Sequence, residues 1–277
     1  MHLVLPRQRT LSLERCQLMG ILNVTPDSFS DGGQFIGIDA ALYQVEHMIS
    51  SGANIIDIGG ESTRPGAAAV TLAEELDRVI PIIAAIRQRF DIVISVDTYK
   101  TDVMSAAIAT GADLINDVNA LQSEGALAVV ANAKVPVCLM HMQGQPTTMQ
   151  DAPSYKDVVA DVQSFFTARV AACAEAGISP SQIILDPGFG FGKTLAQNYE
   201  LLRRFSDFSN LGLPLLAGLS RKSMIGNLLN RPVTERLAGS IACATIAVLA
   251  GAKIIRAHDV AETADAIRIA EATLSGV

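Results

Sequence analysis

Eight short apolar runs in this chain end in side chains able to hold a proton, a cation or an anion: Asn23, Asp57, Asp97, Asn116 with Asp117, His141, Asp186, Ser220-Arg221-Lys222, and Arg256 with His258. Asp and Asn are poor strand formers, and a carboxylate that follows buried Ile or Leu needs a partner. One such residue is readily explained as a helix N-cap. Seven or eight converging on one face are too many for capping alone. Arg64, Lys193, Arg221, Lys222 and Arg256 fall among them and call for an anion. His141 and His258 lack metal-ligand spacing and no Cys cluster exists, so structural zinc is not expected. A hard cation such as Mg²⁺, held mainly by a phosphorylated ligand and one or two protein oxygens, is compatible with this set.

The elements that must bring these residues together can be read from the same runs. Strands are expected at 18–24, 55–58, 92–96, 114–116, 137–140, 183–185, 215–217 and 254–256. Most are nearly continuous Val, Ile and Leu, as in strands buried on both faces. Helices are expected at 39–51, 72–90, 158–175, 199–208, 235–250 and 261–274, with shorter ones at 102–110 and 125–132. Gly52, Gly111, Gly177 and Gly251 sit where a helix stops and a strand follows, the place of a left-handed C′ glycine. Eight β-then-α steps predict a single (β/α)₈ TIM barrel over 18–277, with residues 1–17 as an N-terminal hairpin covering its bottom and no second domain. The competing doubly wound sheet is weakened because no G-x-G-x-x-G follows the first strand. In such a barrel the site lies at the C-terminal strand ends, where all the residues above are placed.

The loops at that end carry further signals. Those after the first two strands, 25–37 and 59–71, exceed the ~2–6 residues of ordinary βα connections and contain TPDSFSDGG and GESTRPG. The loop after strand six, DPGFGFGKT, allows close backbone approach to a ligand, with Phe189 and Phe191 as aromatic walls. Ser220 to Ser223 opens a helix-like segment whose amides favour phosphate. The chain has 277 residues, 49% of them hydrophobic, and a formal charge of −7 from 21 Lys+Arg and 28 Asp+Glu. That balance argues against nucleic-acid or anionic-membrane partners, which require a basic stripe, but leaves room for one small anion. Cys16, Cys138, Cys173 and Cys243 form no C-x-x-C pair and are expected to be reduced. The N-terminus lacks the pattern of a signal peptide, and the uncharged run between Arg236 and Lys253 is too short to span a membrane, so a cytoplasmic location is expected.

Eight segments are similar to one family throughout: MGILNVTPDSFSDGG (19–33), GANIIDIGGESTRPGA (52–67), ISVDT (94–98), LINDV (114–118), LMHMQG (139–144), LDPGFGFGKT (185–194), LSRKSMIG (219–226) and IIRAHDV (254–260). The chain resembles the bacterial dihydropteroate synthases of folate synthesis. The resemblance implies a homodimeric (β/α)₈ transferase joining a dihydropterin diphosphate to 4-aminobenzoate, with Mg²⁺ as cofactor and sulfonamides as competitors. It implies a pterin pocket of Asp97, Asn116, Asp186 and Lys222, and a diphosphate site of Asn23 (which also holds the metal), Thr63, Arg64, Arg256 and His258. It puts 4-aminobenzoate among Phe29, Pro65, Phe191 and Ser220, and gives Asp97, Lys222, Arg256 and His258 the catalytic roles. Three rivals share parts of the pattern. A corrinoid-linked methyltransferase would keep Asp97, Asn116 and Asp186 without needing STRPG, SRK or R-x-H. A Schiff-base aldolase would use Lys222 as nucleophile. An idle pterin-binding paralogue is disfavoured by the intact loops at 25–33 and 59–67.

Overall fold

The computed structural model describes residues 1–24, 33–62, 69–144, 149 and 153–276, with the side chains of 33–36 left aside. Strands β1 (His2–Leu5) and β2 (Arg9–Ser12) form the expected antiparallel hairpin, which turns at Arg7 and Gln8 with φ of 59° and 58°. The eight parallel strands are β3 (Gln17–Asn23), β4 (Ile55–Gly59), β5 (Val93–Asp97), β6 (Leu114–Asp117), β7 (Val137–Met140), β8 (Ile183–Asp186), β9 (Leu216–Ala217) and β10 (Ile254–Ala257). They pair in the order β8-β7-β6-β5-β4-β3-β10-β9, and a bridge from Leu185 to Leu215 closes the ring.

Side chains alternate across each strand, and that alternation builds the site. Ile56, Ile58, Ile94, Val96, Ile115 and Leu139 turn outward into the main core with the helices. Met19, Ile55, Val93, Leu114, Cys138, Ile184, Leu216 and Ile254 turn inward at the bottom of the barrel, where Leu3, Leu5, Leu11 and Leu13 of the hairpin plug them. Two residues further along, the same inward face carries Asp57, Ser95, Asn116, Asp186 and Arg256; two more bring Asn23, Gly59 and Asp97. The barrel therefore changes from apolar to polar in a single step of the pleat. Asp113 fixes the hairpin beneath: fully buried, it takes the guanidinium groups of Arg7, Arg9 and Arg87 and accepts from Ile94 N at 2.9 Å.

Helices α1 (Gly33–Ser50), α2 (Leu72–Arg89), α3 (Thr101–Thr110), α4 (Ala126–Ala133), α5 (Val158–Glu175), α6 (Leu195–Arg203), α7 (Ser223–Leu229), α8 (Leu237–Leu249) and α9 (Val260–Ser275) surround the strands. Two begin several residues earlier than expected, the first being α1, expected at 39–51 and starting at Gly33. The helix expected at 199–208 begins earlier, because Thr194 and Gln197 make a reciprocal capping box, and it gives way to a 3₁₀ turn at Phe205–Leu211. The short α7, between β9 and α8, is the helix-like segment expected to open at Ser220 to Ser223.

Candidate functional site

At the mouth of the barrel Arg256 of β10 lies between two carboxylates. Its Nε donates to Asp57 Oδ2 at 2.6 Å and its Nη2 to Asp97 Oδ2 at 2.8 Å. Asn116 Nδ2 donates to the same Asp57 oxygen at 3.0 Å. Asp57 is fully buried, and its other oxygen, Oδ1, takes no hydrogen bond from the described residues, as is also true of Ser95 Oγ beside it in the register. Burial pushes the Asp97 carboxyl well above the usual range; Arg256 pulls it down, while Asp57, Asp117 and Glu75 push it up. A carboxylate this starved of solvent gains from any positive charge that appears next to it.

Asp186 ends β8 and accepts from Gly188 N at 2.8 Å. Burial raises its carboxyl, and Lys222 opposes that rise. Lys222 caps the start of α7, where its ammonium lies 4.2 Å from the Phe191 ring centroid and donates to the Phe189 carbonyl. Burial brings the Lys222 ammonium down to about 8, although Asp186 and Asp97 hold it up. Across the mouth, Ser220 Oγ accepts from His258 N at 3.1 Å and lies 3.0 Å from its Nδ1.

The loop between β8 and α6 is held by backbone contact. Gly188 has φ +71°, and a Cβ there would fall 1.9 Å from the His141 carbonyl oxygen; at Gly192 one would fall 2.4 Å from that of Gln143. Lys193 staples this packing. It is 2% exposed and donates to the carbonyls of Gly188 (2.8 Å), Phe191 (2.9 Å) and His141 (3.3 Å), with His141 Nδ1 at 3.1 Å. Burial and the neighbouring Lys193 lower the His141 imidazole to about 3, so it stays neutral.

The structure therefore brings Asp97, Asn116, Asp186, Lys222, Arg256, Ser220 and His258 to one mouth, with Phe191 beside Lys222 and Asn23 at the end of β3. Phe29, Thr63, Arg64 and Pro65 lie outside the described residues. Four expectations need correction. Phe189 is no wall of the mouth, because it is fully buried in the main core and stacks on Phe205. Lys193 is no open cation for an anion, since carbonyls already occupy it. Arg221 pairs with Asp259 on the surface. Asp117 turns away from the barrel and takes the backbone N–H groups of Asn119 and Leu121, each at 2.7 Å. Asp57 received no role from sequence beyond its position, yet it is where β4, β6 and β10 meet. Its inward parity, shared with Ser95 and Asn116, was the available signal.

Among the described residues no three of His, Cys, Asp and Glu stand close enough to hold a metal by themselves. Asn23 Oδ1 and Asp97 Oδ2 both lie beside Gly59, 4.0 and 3.8 Å from where its Cβ would be. A single amide oxygen of this kind suits Mg²⁺ that arrives with phosphate oxygens and keeps its water, rather than a metal caged by protein. Nor is any described helix long and apolar enough to cross a membrane.

Residues 19–258 match the family model described as pterin binding enzyme. The dihydropteroate synthase of Escherichia coli strain K12 is 56% identical over 266 residues, which are 96% of this chain and 94% of that protein. The Yersinia pestis dihydropteroate synthase in a sulfonamide drug complex superposes with a TM-score of 0.94 at 56% identity, covering 99% of this chain and all of that one. The Xanthomonas albilineans dihydropteroate synthase with 4-aminobenzoic acid gives a TM-score of 0.91 at 49% identity, covering 97% of this chain and 96% of that one.

Proposed function

We propose a division of labour at the barrel mouth from the premise that the chain belongs to the pterin-binding enzymes and, among them, to the dihydropteroate synthases. It is a transferase that condenses (7,8-dihydropterin-6-yl)methyl diphosphate with 4-aminobenzoate, releasing diphosphate and forming 7,8-dihydropteroate. The observation that carries the residue roles is the polar layer itself. Asp97, Asn116 and Asp186 face one mouth, with Lys222 and Arg256 as the inward cations among the described residues.

In this reading Asp186 accepts the ring N–H and exocyclic amine of the pterin side by side, as a carboxylate accepts a guanidinium fork. Asn116 reads the neighbouring ring edge, and Lys222 donates to the ring carbonyl. As the C–O bond to diphosphate breaks, positive charge spreads from the methylene into the ring, and buried Asp97 faces it. Arg256 and His258 stabilise the departing diphosphate, as do Thr63 and Arg64 on the ground of family membership alone. Asn23 would hold Mg²⁺ on the diphosphate, which when bound supplies positive charge to the leaving group. The 4-aminobenzoate ring takes its place by Phe191 and Ser220, with Phe29 and Pro65 again assigned from the family. An arylamine is already neutral at pH 7, so no general base is required for its attack.

The decisive measurement is diphosphate release from the pterin diphosphate with and without 4-aminobenzoate. Release that does not depend on 4-aminobenzoate would remove this reading in favour of a different pterin enzyme. Asp97→Asn is expected to keep the fold and lower kcat by ~10²-fold, the size of other lost electrostatic stabilisers. We further propose a homodimer formed through α7 and α8. Leu228, Leu229, Ile246 and Leu249 are 44–56% exposed there, beside an apolar groove that runs to Tyr199 and Leu202. Sedimentation of wild type and Ile246→Lys tests it, a wild-type monomer being the refuting result. The four free cysteines accord with a reducing, cytoplasmic setting.

A further inference from the structure

Asp57 has no part in the roles above, yet its burial is costly. A fully buried carboxylate has one oxygen without a hydrogen bond among the described residues, while the other accepts from two side chains on two different strands. A group needed only for packing would be better apolar at this position, because burying a charge is costly unless both oxygens are satisfied. The partners of Asp57 Oδ2 explain why a charge belongs here. Asn116 Nδ2 comes from β6 at 3.0 Å and Arg256 Nε from β10 at 2.6 Å.

An ion-paired carboxylate accepts and does not donate. The Asn116 amide must therefore turn its nitrogen toward Asp57, and the planar group carries its oxygen on the opposite branch. That oxygen accepts from none of the described side chains or amides, and so remains for a ligand. Without the carboxylate, the two orientations of this amide would differ little in their protein contacts. Arg256 is constrained by the same oxygen: with Nε on Asp57, its Nη2 reaches Asp97.

We infer that Asp57 is a positioning residue for both halves of the first substrate: it sets the hydrogen-bond polarity that Asn116 offers the pterin ring, and it holds Arg256 in place for the diphosphate. This rests on the pterin and diphosphate roles proposed above. It adds that one carboxylate oxygen links the two subsites and gives the ring-reading amide its direction.

The test uses the full-length enzyme with Asp57→Asn, and Asp57→Ser should the first not fold. Binding of the pterin alcohol without diphosphate and of inorganic diphosphate supplied with Mg²⁺ is measured separately by calorimetry, and steady-state KM for 4-aminobenzoate alongside. Each ligand is expected to bind about tenfold more weakly, the scale of one charge-assisted hydrogen bond, with the 4-aminobenzoate KM unchanged. The measurement that separates positioning from plain structural damage is a double-mutant cycle. In an Asn116→Ala background, Asp57→Asn should no longer affect pterin binding but should still weaken diphosphate. Wild-type affinities in the single variant would overturn the inference, as would an undiminished pterin effect without the Asn116 side chain. Failure of the underlying reading looks different: there the unaltered enzyme would itself bind neither ligand or release no diphosphate.

Discussion

Replacing Lys193 with methionine decides between two accounts of that lysine, an anion-binding cation at the mouth or a staple for the β8–α6 loop. The ammonium donates to the carbonyls of Gly188, Phe191 and His141 at 2.8–3.3 Å. Methionine fills similar volume and donates to none of them. Each buried carbonyl left unbonded costs about 1–3 kcal/mol, so three would sum to roughly 3–9 kcal/mol, less the relief of no longer burying a charge, itself several kcal/mol. A net loss of ~3 kcal/mol follows, or roughly 6–12 °C of melting temperature for a chain of this size. Urea unfolding is the direct assay: the midpoint falls while the slope, which reports exposed surface, stays constant. The loss also depends on pH. Burial holds the Lys193 ammonium well below its ordinary value, so the unfolded chain binds that proton more tightly than the folded one. The wild type is penalised at low pH, and its advantage over the Lys193→Met variant widens as pH rises toward 10.5, the value for an unburied lysine. Activity should fall in kcat, because the same loop seats Lys222 through the Phe189 carbonyl and the Phe191 ring. A Lys193→Met enzyme of wild-type stability with only its KM for the pterin diphosphate raised would refute the staple and restore the anion-binding role.

Other outcomes follow from the same geometry. With the Lys222 ammonium lowered to about 8, kcat/KM should decline as pH rises through that value and the charge is lost; Lys222→Arg, which stays charged, should remove this limb from the pH–rate profile. Asp113→Ala strips three arginines of their shared carboxylate and leaves Ile94 N without its acceptor, and should cost ~3 kcal/mol in denaturant titration while ligand affinities of the folded enzyme stay the same. Chelating Mg²⁺ should raise KM for the pterin diphosphate strongly and leave binding of the pterin alcohol unchanged; equal effects on both would place the metal elsewhere.

Much of the barrel was legible because its signals are local. A doubly buried strand reads as continuous Val, Ile and Leu, and Gly52, Gly111 and Gly251 mark helix ends through φ values of 99–124°. Residues at the ends of such strands must share one rim, so the positions of Asp97, Asn116, Asp186 and Arg256 followed from topology alone. What strand-end position does not reveal is the direction of a side chain. Asn116 and Asp117 are neighbours, but pleat parity sends the first into the cavity and the second into a turn. Lys193 shows the same gap: a cation in a glycine-rich loop suggests an anion, whereas here the glycines bring backbone carbonyls so close that the lysine itself becomes their partner. Counting pleat steps from the bottom layer would have separated Asn116 from Asp117. Nothing in the composition of DPGFGFGK would have revealed the fate of Lys193, since it depends on how that loop packs against the end of β7.

The charge balance within the cup bears on how the first substrate is held. Facing inward among the described residues are the carboxylates of Asp57, Asp97 and Asp186 against the cations Arg256 and Lys222. The polar layer is therefore not a generic trap for anions, even though its ligand carries a diphosphate. Arg256 is already held by two carboxylates, and Lys222 is coupled to Asp186. Among the described residues a bare diphosphate would meet one more carboxylate than cation, a poor exchange for its hydration. A diphosphate that brings Mg²⁺ meets a site to which it contributes charge rather than one it must overcome. The same excess of carboxylate that repels the free anion suits the transition state, in which the pterin methylene turns positive as the diphosphate departs. An overall charge of −7 and an anionic substrate thus cease to conflict, because the residues closest to the reacting carbon are tuned to the cation that forms there.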